Sequence, residues 1–310
     1  MAGTSPATTL EKSFNMSRIR TSQPGAIFVI MAQSHPSAGP NDKRQKWEYV
    51  MGRMVALSAG SALLAAGAVS GAVQSAGADT LVENSAEFRF QLDFHVNDAA
   101  LQKLLPAGWE TVIATQGPAK DANLRLIFID RVDVTNPDNT PKTTDQLVYI
   151  AIPVKQTGTN NAGQMIINGL VSDAKEAPGP FGNYVHASSV KASRSFNTIN
   201  GVTDGEENWE FIGSNGERLE THVKYERGPA RRNPTAEVKF FNPTTPGTYQ
   251  IFKVDSGLDI MKNASVPVKD RVREFSYKAT GGNIGALFDG TEKVLSWDSF
   301  HWYNRGIFTP

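Results

Sequence analysis

The chain has 310 residues, 40% of them hydrophobic, and its 31 Lys and Arg balance 31 Asp and Glu to a formal net charge of zero. That is a globular composition, long enough for a sizeable core. With no basic stripe, it excludes a charge-built nucleic-acid surface. The absence of cysteine excludes disulfides, thiol nucleophiles and thiolate zinc sites.

Residues 1–50 are polar and rich in Ser, Pro, Thr and Ala without sustained periodicity. They read as a disordered leader or an overlong gene start, with Met51 or Met54 as the conventional beginning. Lys43, Arg44, Lys46 and Arg53 then precede an apolar run rich in Ala, Leu, Val and Gly, which ends in the A-x-A site Ala76-Gly77-Ala78. This three-part layout predicts a secretory signal peptide over 51–78, with no stable membrane span after cleavage. The alternative is a transmembrane anchor over Met54 to Val73, which is long enough to span but weakly hydrophobic. No paired arginines stand before the run, so general export is expected, to a bacterial periplasm or medium. From Asp79 onward, 24 Lys and Arg against 28 Asp and Glu give a net charge of −4. That segment, 79–310, is expected to be a single β domain with a central cavity.

Phe88, Phe90, Leu92, Phe94 and Val96 alternate with Arg89, Gln91, Asp93 and His95, predicting a strand with one buried face. Asn97 caps a short helix that carries Leu101, Leu104 and Leu105 and stops at Pro106 and Gly108. Ala122 to Val134 is a strand, and the turn-rich TNPDNTPKTTD follows it. Gln146 to Val154 is almost entirely apolar and reads as buried on both faces. Gly163 to Val171 is a strand or short helix, and APGPFGN builds the next loop. Tyr184 to Phe196 is a long polar strand. Glu207 to Ile212 and Arg218 to Tyr225 form a hairpin about a turn at 213–216. Thr235 to Phe241 and Thr248 to Val254 pair across NPTTPG, and Leu258 to Ala264 reads as a short helix. Val272 to Ala279 alternates, and an aromatic-rich strand over Lys293 to Phe308 closes the core. Short strands separated by turns, with no βαβ alternation, predict a mainly β fold: an antiparallel β barrel or cone with two or three short helices.

The stretch HVNDAALQKLLPAGWE, His95 to Glu110, resembles the N-terminal segment of the acetoacetate decarboxylase-like superfamily, where a strand ends in V-N/D before A-L-x-x-L-L-P-x-G-W/L. NLRLIFIDRV, LVYIAIPVK and NYVHASSVKASR follow in the order that this resemblance requires. The resemblance implies a curved β cone or double barrel around an apolar cavity. It also implies a lysine that forms a Schiff base with a keto acid, set in G-R-E-x-x-G-x-P-K-K and activated by burial and a neighbouring cation. Across Ala192 to Gly201, Arg194 takes the arginine's place, Ser195 stands for the glutamate and no Pro-Lys follows. Asp145 and Gln146 stand where the family has Tyr-x-Glu. Lys191 is the lysine that can substitute.

Four histidines follow Asp79: His95, His186, His222 and His301. None forms an H-E-x-x-H or H-x-H pattern, so no metal site is assigned. GGNIG at 281–285 lacks the strand-to-helix setting of a phosphate loop, and no cofactor is assigned. Along the strand from Tyr184, His186 and Arg194 share one face, and Lys191 shares the other with Ser193. His186 and Arg194 are the expected pair for a carboxylate ligand, one as a proton carrier and the other as a bidentate fork. Lys191, Arg194 and His186 are the candidate catalytic residues, and Trp209 is a candidate wall of the ligand pocket. The expected partner is a small organic acid or carbonyl compound, bound by an enzyme with lyase chemistry or by a non-catalytic carrier. A homo-oligomer is an open expectation.

Overall fold

The computed structural model describes residues 78–282 and 284–310. The expected leader and signal segment lie outside them, apart from Ala78. No helix among the described residues is long and apolar enough to cross a membrane. The elements run β1 (Thr80–His95), α1 (Asp98–Gln102), β2 (Trp109–Thr111), β3 (Leu124–Thr135), β4 (Gln146–Gln156), β5 (Ala162–Val171), β6 (Tyr184–Ile199), β7 (Val202–Gly213), β8 (Arg218–Glu226), β9 (Arg231–Arg232), β10 (Ala236–Phe241), β11 (Tyr249–Asn263), β12 (Val272–Thr280) and β13 (Lys293–Thr309). The fold is mainly β, as the turn spacing predicts.

Asn97 caps α1 as expected: its Oδ1 accepts from the backbone N–H of Ala99 at 3.0 Å and of Ala100 at 3.1 Å. Among the described residues α1 is the one helix, so the expectation of two or three is corrected. The piece read as a helix, Leu258 to Ala264, is mostly the second half of β11. A bulge between Gly257 and Leu258 shifts its register against β13 and breaks the period that would have marked it as a strand. Gly257 is required there because the Trp302 ring occupies the space of a Cβ. The hairpin of β6 and β7 is also longer than expected. Asn200 and Gly201 sit at φ 51° and 79°, the two left-handed residues of a type I′ turn.

Strand order explains where the interior lies. β1 pairs with β3 and β13, β3 with β4, β4 with β5, β5 with β10, β10 with β11, and β11 with β13. These seven strands therefore form a closed circuit. Beyond it, β6 leaves β5 in parallel and leads into a sheet of β6, β7, β8 and β12. That sheet covers the outer wall of the circuit. Phe90, Leu92, Phe94, Phe128, Val148 and Ile150 on the wall pack against Trp209, Phe211, Leu219 and Val223 of the covering sheet. Phe128 lies 5.9 Å from Trp209 and 6.1 Å from Phe211 between ring centroids. A second cluster, with Ile129, Tyr149, Ile166, Phe240, Phe252 and Ile307, fills the circuit.

Strands β1, β3 and β4 are thus covered on both faces. For β4 this matches the expectation. For β1 it corrects the expectation of a solvated polar face: Ser85, Glu87, Arg89, Gln91 and Asp93 are all buried inside the circuit.

Position 128 tests the two-layer core. Phe128→Ala removes a ring that is 0% exposed and should destabilise by about 3–5 kcal/mol. Val132→Ala, at a side chain 45% exposed on the same strand, should stay within about 0.5 kcal/mol. Urea unfolding followed by tryptophan fluorescence measures both.

Candidate functional site at the end of the barrel

The buried polar face of β1 is a chain of charges matched from other strands. Glu87 accepts from Ser85 Oγ at 2.7 Å, from Arg89 Nε at 2.6 Å and from Arg305 Nη2 at 2.7 Å. Arg89 also donates to the Tyr149 hydroxyl at 3.3 Å and lies 3.4 Å from the centre of the Tyr303 ring. Burial alone would lift the Glu87 carboxyl, but Arg305 and Arg89 outweigh it and hold the carboxyl below its ordinary value.

One turn of side chains further along, Arg131 joins three acids. Its Nε donates to Asp145, its Nη1 to Glu83 at 2.9 Å and its Nη2 to Glu176 at 3.3 Å. Lys142 bridges the same acids, 2.7 Å from Glu83 and 3.7 Å from Glu176. Glu176 comes from the APGPFGN loop, which is thereby tied across the end of the circuit. Gly179, at φ 73°, lets that loop lie against the Tyr184 ring, where a Cβ would collide.

Behind this loop is a cavity of about 390 Å³. Arg131, Asp145, Tyr184 and Arg305 line it beside apolar Phe252 and Ile307. One polar atom there, Asp145 Oδ2, is buried without a partner among the described residues; Arg305, in the same wall, donates from Nε to Ser85 at 3.3 Å and lies 2.7 Å from Glu87. Burial keeps the Tyr184 phenol far above its ordinary value, so it stays a neutral donor. Burial lifts the Asp145 carboxyl above its ordinary value in spite of Arg131. The chemistry on offer is a guanidinium edge and a phenol for an anionic oxygen, with the Asp145 carboxyl nearby.

The other end of the same face is acidic. Asp93 accepts from Gln91 at 3.0 Å and lies 3.3 Å from Arg125, while Asp298 accepts from Ser296 at 2.6 Å. Burial, then the nearby Asp93 charge, pushes the Asp298 carboxyl well above its ordinary value.

None of the residues singled out in the sequence lines the barrel-end cavity. Lys191 is exposed on the outer face of the covering sheet and pairs with Glu210 at 2.7 Å. Arg194 and Trp209 do come together, on the inner face, where both donate to Glu207 Oε2 at 3.1 and 3.3 Å. His186 is exposed and eight residues from Arg194, about 26 Å along an extended strand, so the expected pair does not form. Among the described residues no group of three His, Asp or Glu is placed to hold a metal. The cavity residues that sequence reasoning missed carry a faint signal. Arg131 stands within an apolar strand, and Lys175-Glu176-Ala177-Pro178-Gly179 follows the basic-Glu-x-x-Gly order sought at 192–201.

No family model matches the chain, and no curated protein matches it in sequence. Several solved structures are similar in fold. The enduracididine biosynthesis enzyme MppR complexed with pyruvate is 15% identical, with a TM-score of 0.45 over 76% of this chain and 91% of that one. An acetoacetate decarboxylase-like enzyme from Sphingomonas wittichii RW1 is 14% identical, with a TM-score of 0.46 over 74% and 93%. Acetoacetate decarboxylase from Legionella pneumophila is 14% identical, with a TM-score of 0.41 over 74% and 88%.

Two substitutions test the electrostatics. Arg131→Ala leaves buried carboxylates without their cation and should cost about 3–5 kcal/mol, whereas Lys155→Ala, in an exposed pair with Glu110, should leave the unfolding midpoint unchanged. Asp298→Asn should raise Tm at pH 8. A buried carboxyl whose folded pKa lies above its unfolded value of about 3.9 opposes folding at high pH and ceases to do so as pH falls through the folded pKa. The advantage of the variant should therefore shrink toward pH 5, as read by calorimetric scans across that range.

Proposed function

We propose that this chain binds a small organic acid in the barrel-end cavity and does so without a covalent lysine adduct. The reading rests on one observation: Arg305, Tyr184 and Asp145, whose Oδ2 is buried without a partner among the described residues, line a single cavity of about 390 Å³. A carboxylate accepts from the guanidinium edge and the phenol, and the apolar walls take the body of the ligand. Schiff-base chemistry needs a desolvated lysine with a free electron pair; of the two lysines lining the cavity, Lys142 is ion-paired to Glu83 and Glu176, and Lys175 is exposed to solvent. Turnover of the lyase kind is the second reading. Asp145 favours it, as a buried carboxyl lifted above its ordinary value, the kind of group that gives a proton to a developing enolate.

Export through 51–78 belongs to the same proposal. Its support is the basic residues, the apolar run and the A-x-A site in the sequence. N-terminal sequencing of the protein from the periplasm tests it, and a start upstream of Met51 would count against it.

Pyruvate, a small keto acid, is the first probe. Calorimetric titration should show binding to the full chain, weakened at least tenfold in Arg305→Gln and several-fold in the milder Tyr184→Phe. Borohydride added with pyruvate should produce no mass shift. A trapped lysine adduct, or equal affinity in both variants, overturns the reading.

A further inference from the structure

The β6–β7 hairpin is longer than the wall it covers. On its inner face Ala192 sits opposite Trp209, Arg194 opposite Glu207 and Phe196 opposite Gly205. Trp209 and Glu207 are buried, but Phe196 is 45% exposed and Ile199 at the tip is 61% exposed. Where the hairpin overshoots, its inner face and the outer wall of the barrel enclose a cleft of about 240 Å³. Arg194 and Phe196 form one side, with Arg227 following β8, and Phe88, Phe300 and His301 form the other. The cleft shares no residue with the barrel-end cavity.

Its charge is not balanced from within. Glu207 is the nearest buried acid, and it already accepts from Arg194 at 3.1 Å, Trp209 at 3.3 Å and Tyr225 at 2.8 Å. Asp259 is held by Arg271 and by the backbone N–H of Gly228 at 2.8 Å. Arg227 lies 4.5 Å over the Phe196 ring, donates from Nε to His301 Nε2 at 3.3 Å and has no carboxylate partner among the described residues. Arg194 Nε is buried without a hydrogen-bond partner, and its guanidinium lies 4.7 Å over Phe88. Burial, then Arg227, holds His301 below its ordinary value, so the ring adds no cation of its own. Two guanidiniums with one acid between them call for a single negative charge. Three phenyl rings call for a flat apolar body, and they penalise the heavier hydration of a dianion such as phosphate. The volume is below the usual 300 Å³ or so of drug-sized sites, which suits one ring.

We propose that this cleft is a second small-molecule site, for an aryl monocarboxylate whose carboxylate lies between Arg194 and Arg227 and whose ring packs on Phe88, Phe196 and Phe300. Benzoate is the probe, titrated calorimetrically into the full chain. Binding is expected to weaken at least tenfold in Arg227→Gln and measurably in Phe196→Ala, both partly exposed positions that the fold tolerates. Tyr184→Phe, in the barrel-end cavity, should leave it unchanged. Benzyl alcohol, which lacks the charge, and acetate, which lacks the ring, should each bind at least tenfold more weakly than benzoate. Three results overturn the proposal: no benzoate binding, equal affinity in Arg227→Gln, or a loss in Tyr184→Phe that places benzoate in the barrel instead.

Discussion

The ion cluster around Glu87 constrains everything built on β1. A carboxylate enclosed in a protein interior loses several kcal/mol of hydration, and only well-placed cations and donors recover it. Here the cations come from Arg89 on the same strand and Arg305 on β13, with Ser85 completing the shell. Such a pair need not add net stability, but it fixes register. A slip of one residue would exchange the two faces of β1, carrying Glu87 and Arg89 into the layer of Phe128 and Trp209 and Phe90 into the charges. The pairing of Ser85 with Arg305 and Glu87 with Tyr303 is therefore tied to the chemistry of the interior as well as to the backbone ladder.

This constraint also marks how far the sequence could be read. Alternation from Phe88 to Val96, the Asn97 cap and the Pro106 stop are local events, decided by neighbouring residues, and each is legible. The doubly buried β4 is legible too, because nearly every side chain in it is apolar. The buried polar face of β1 is not. Glu87, Arg89 and Asp93 alternate with apolar residues in the same way whether water or polar partners await them, and the partners arrive from Arg305, Tyr149 and Arg125, far along the chain. Leu258 to Ala264 misleads for a related reason: a bulge at Gly257 erases the period, and only the Trp302 ring shows why glycine stands there. The Asn200-Gly201 turn is different, since that dipeptide alone announces a hairpin.

Site residues were harder still. Period two says that His186 and Arg194 share a face; it does not say which face covers a cavity, nor that the strand outruns its support between them. Trp209 and Arg194 do meet, because Glu207, two residues from Trp209 on β7, lies opposite Arg194 on β6, a relation that appears only once β6 and β7 are paired. Arg131 and Asp145 lie 14 residues apart, joined by β3 and β4, and Arg305 completes the cavity from the last strand. No spacing rule connects three residues brought together by the closure of a circuit.

The ends of the buried face differ in how fully their charges are matched, and this difference bears on the proposed use. From Glu83 to Asp93 is ten residues, about 33 Å of strand. Arg89, Arg131 and Arg305 are matched at the first end by Glu87, Glu83 and Asp145, whereas Asp93 and Asp298 at the second have Arg125 as their cation. An interior of low dielectric screens such a difference little, so a further anion is disfavoured at the acidic end and meets matched charges at the other. The arginine end is also where the cavity opens and where the covering loop is held by Glu176. An apolar cone could have enclosed the same volume with less desolvation. What the charged face adds is direction: guanidinium groups stand at the end of the circuit that carries the cavity, and Asp93 and Asp298 at the other.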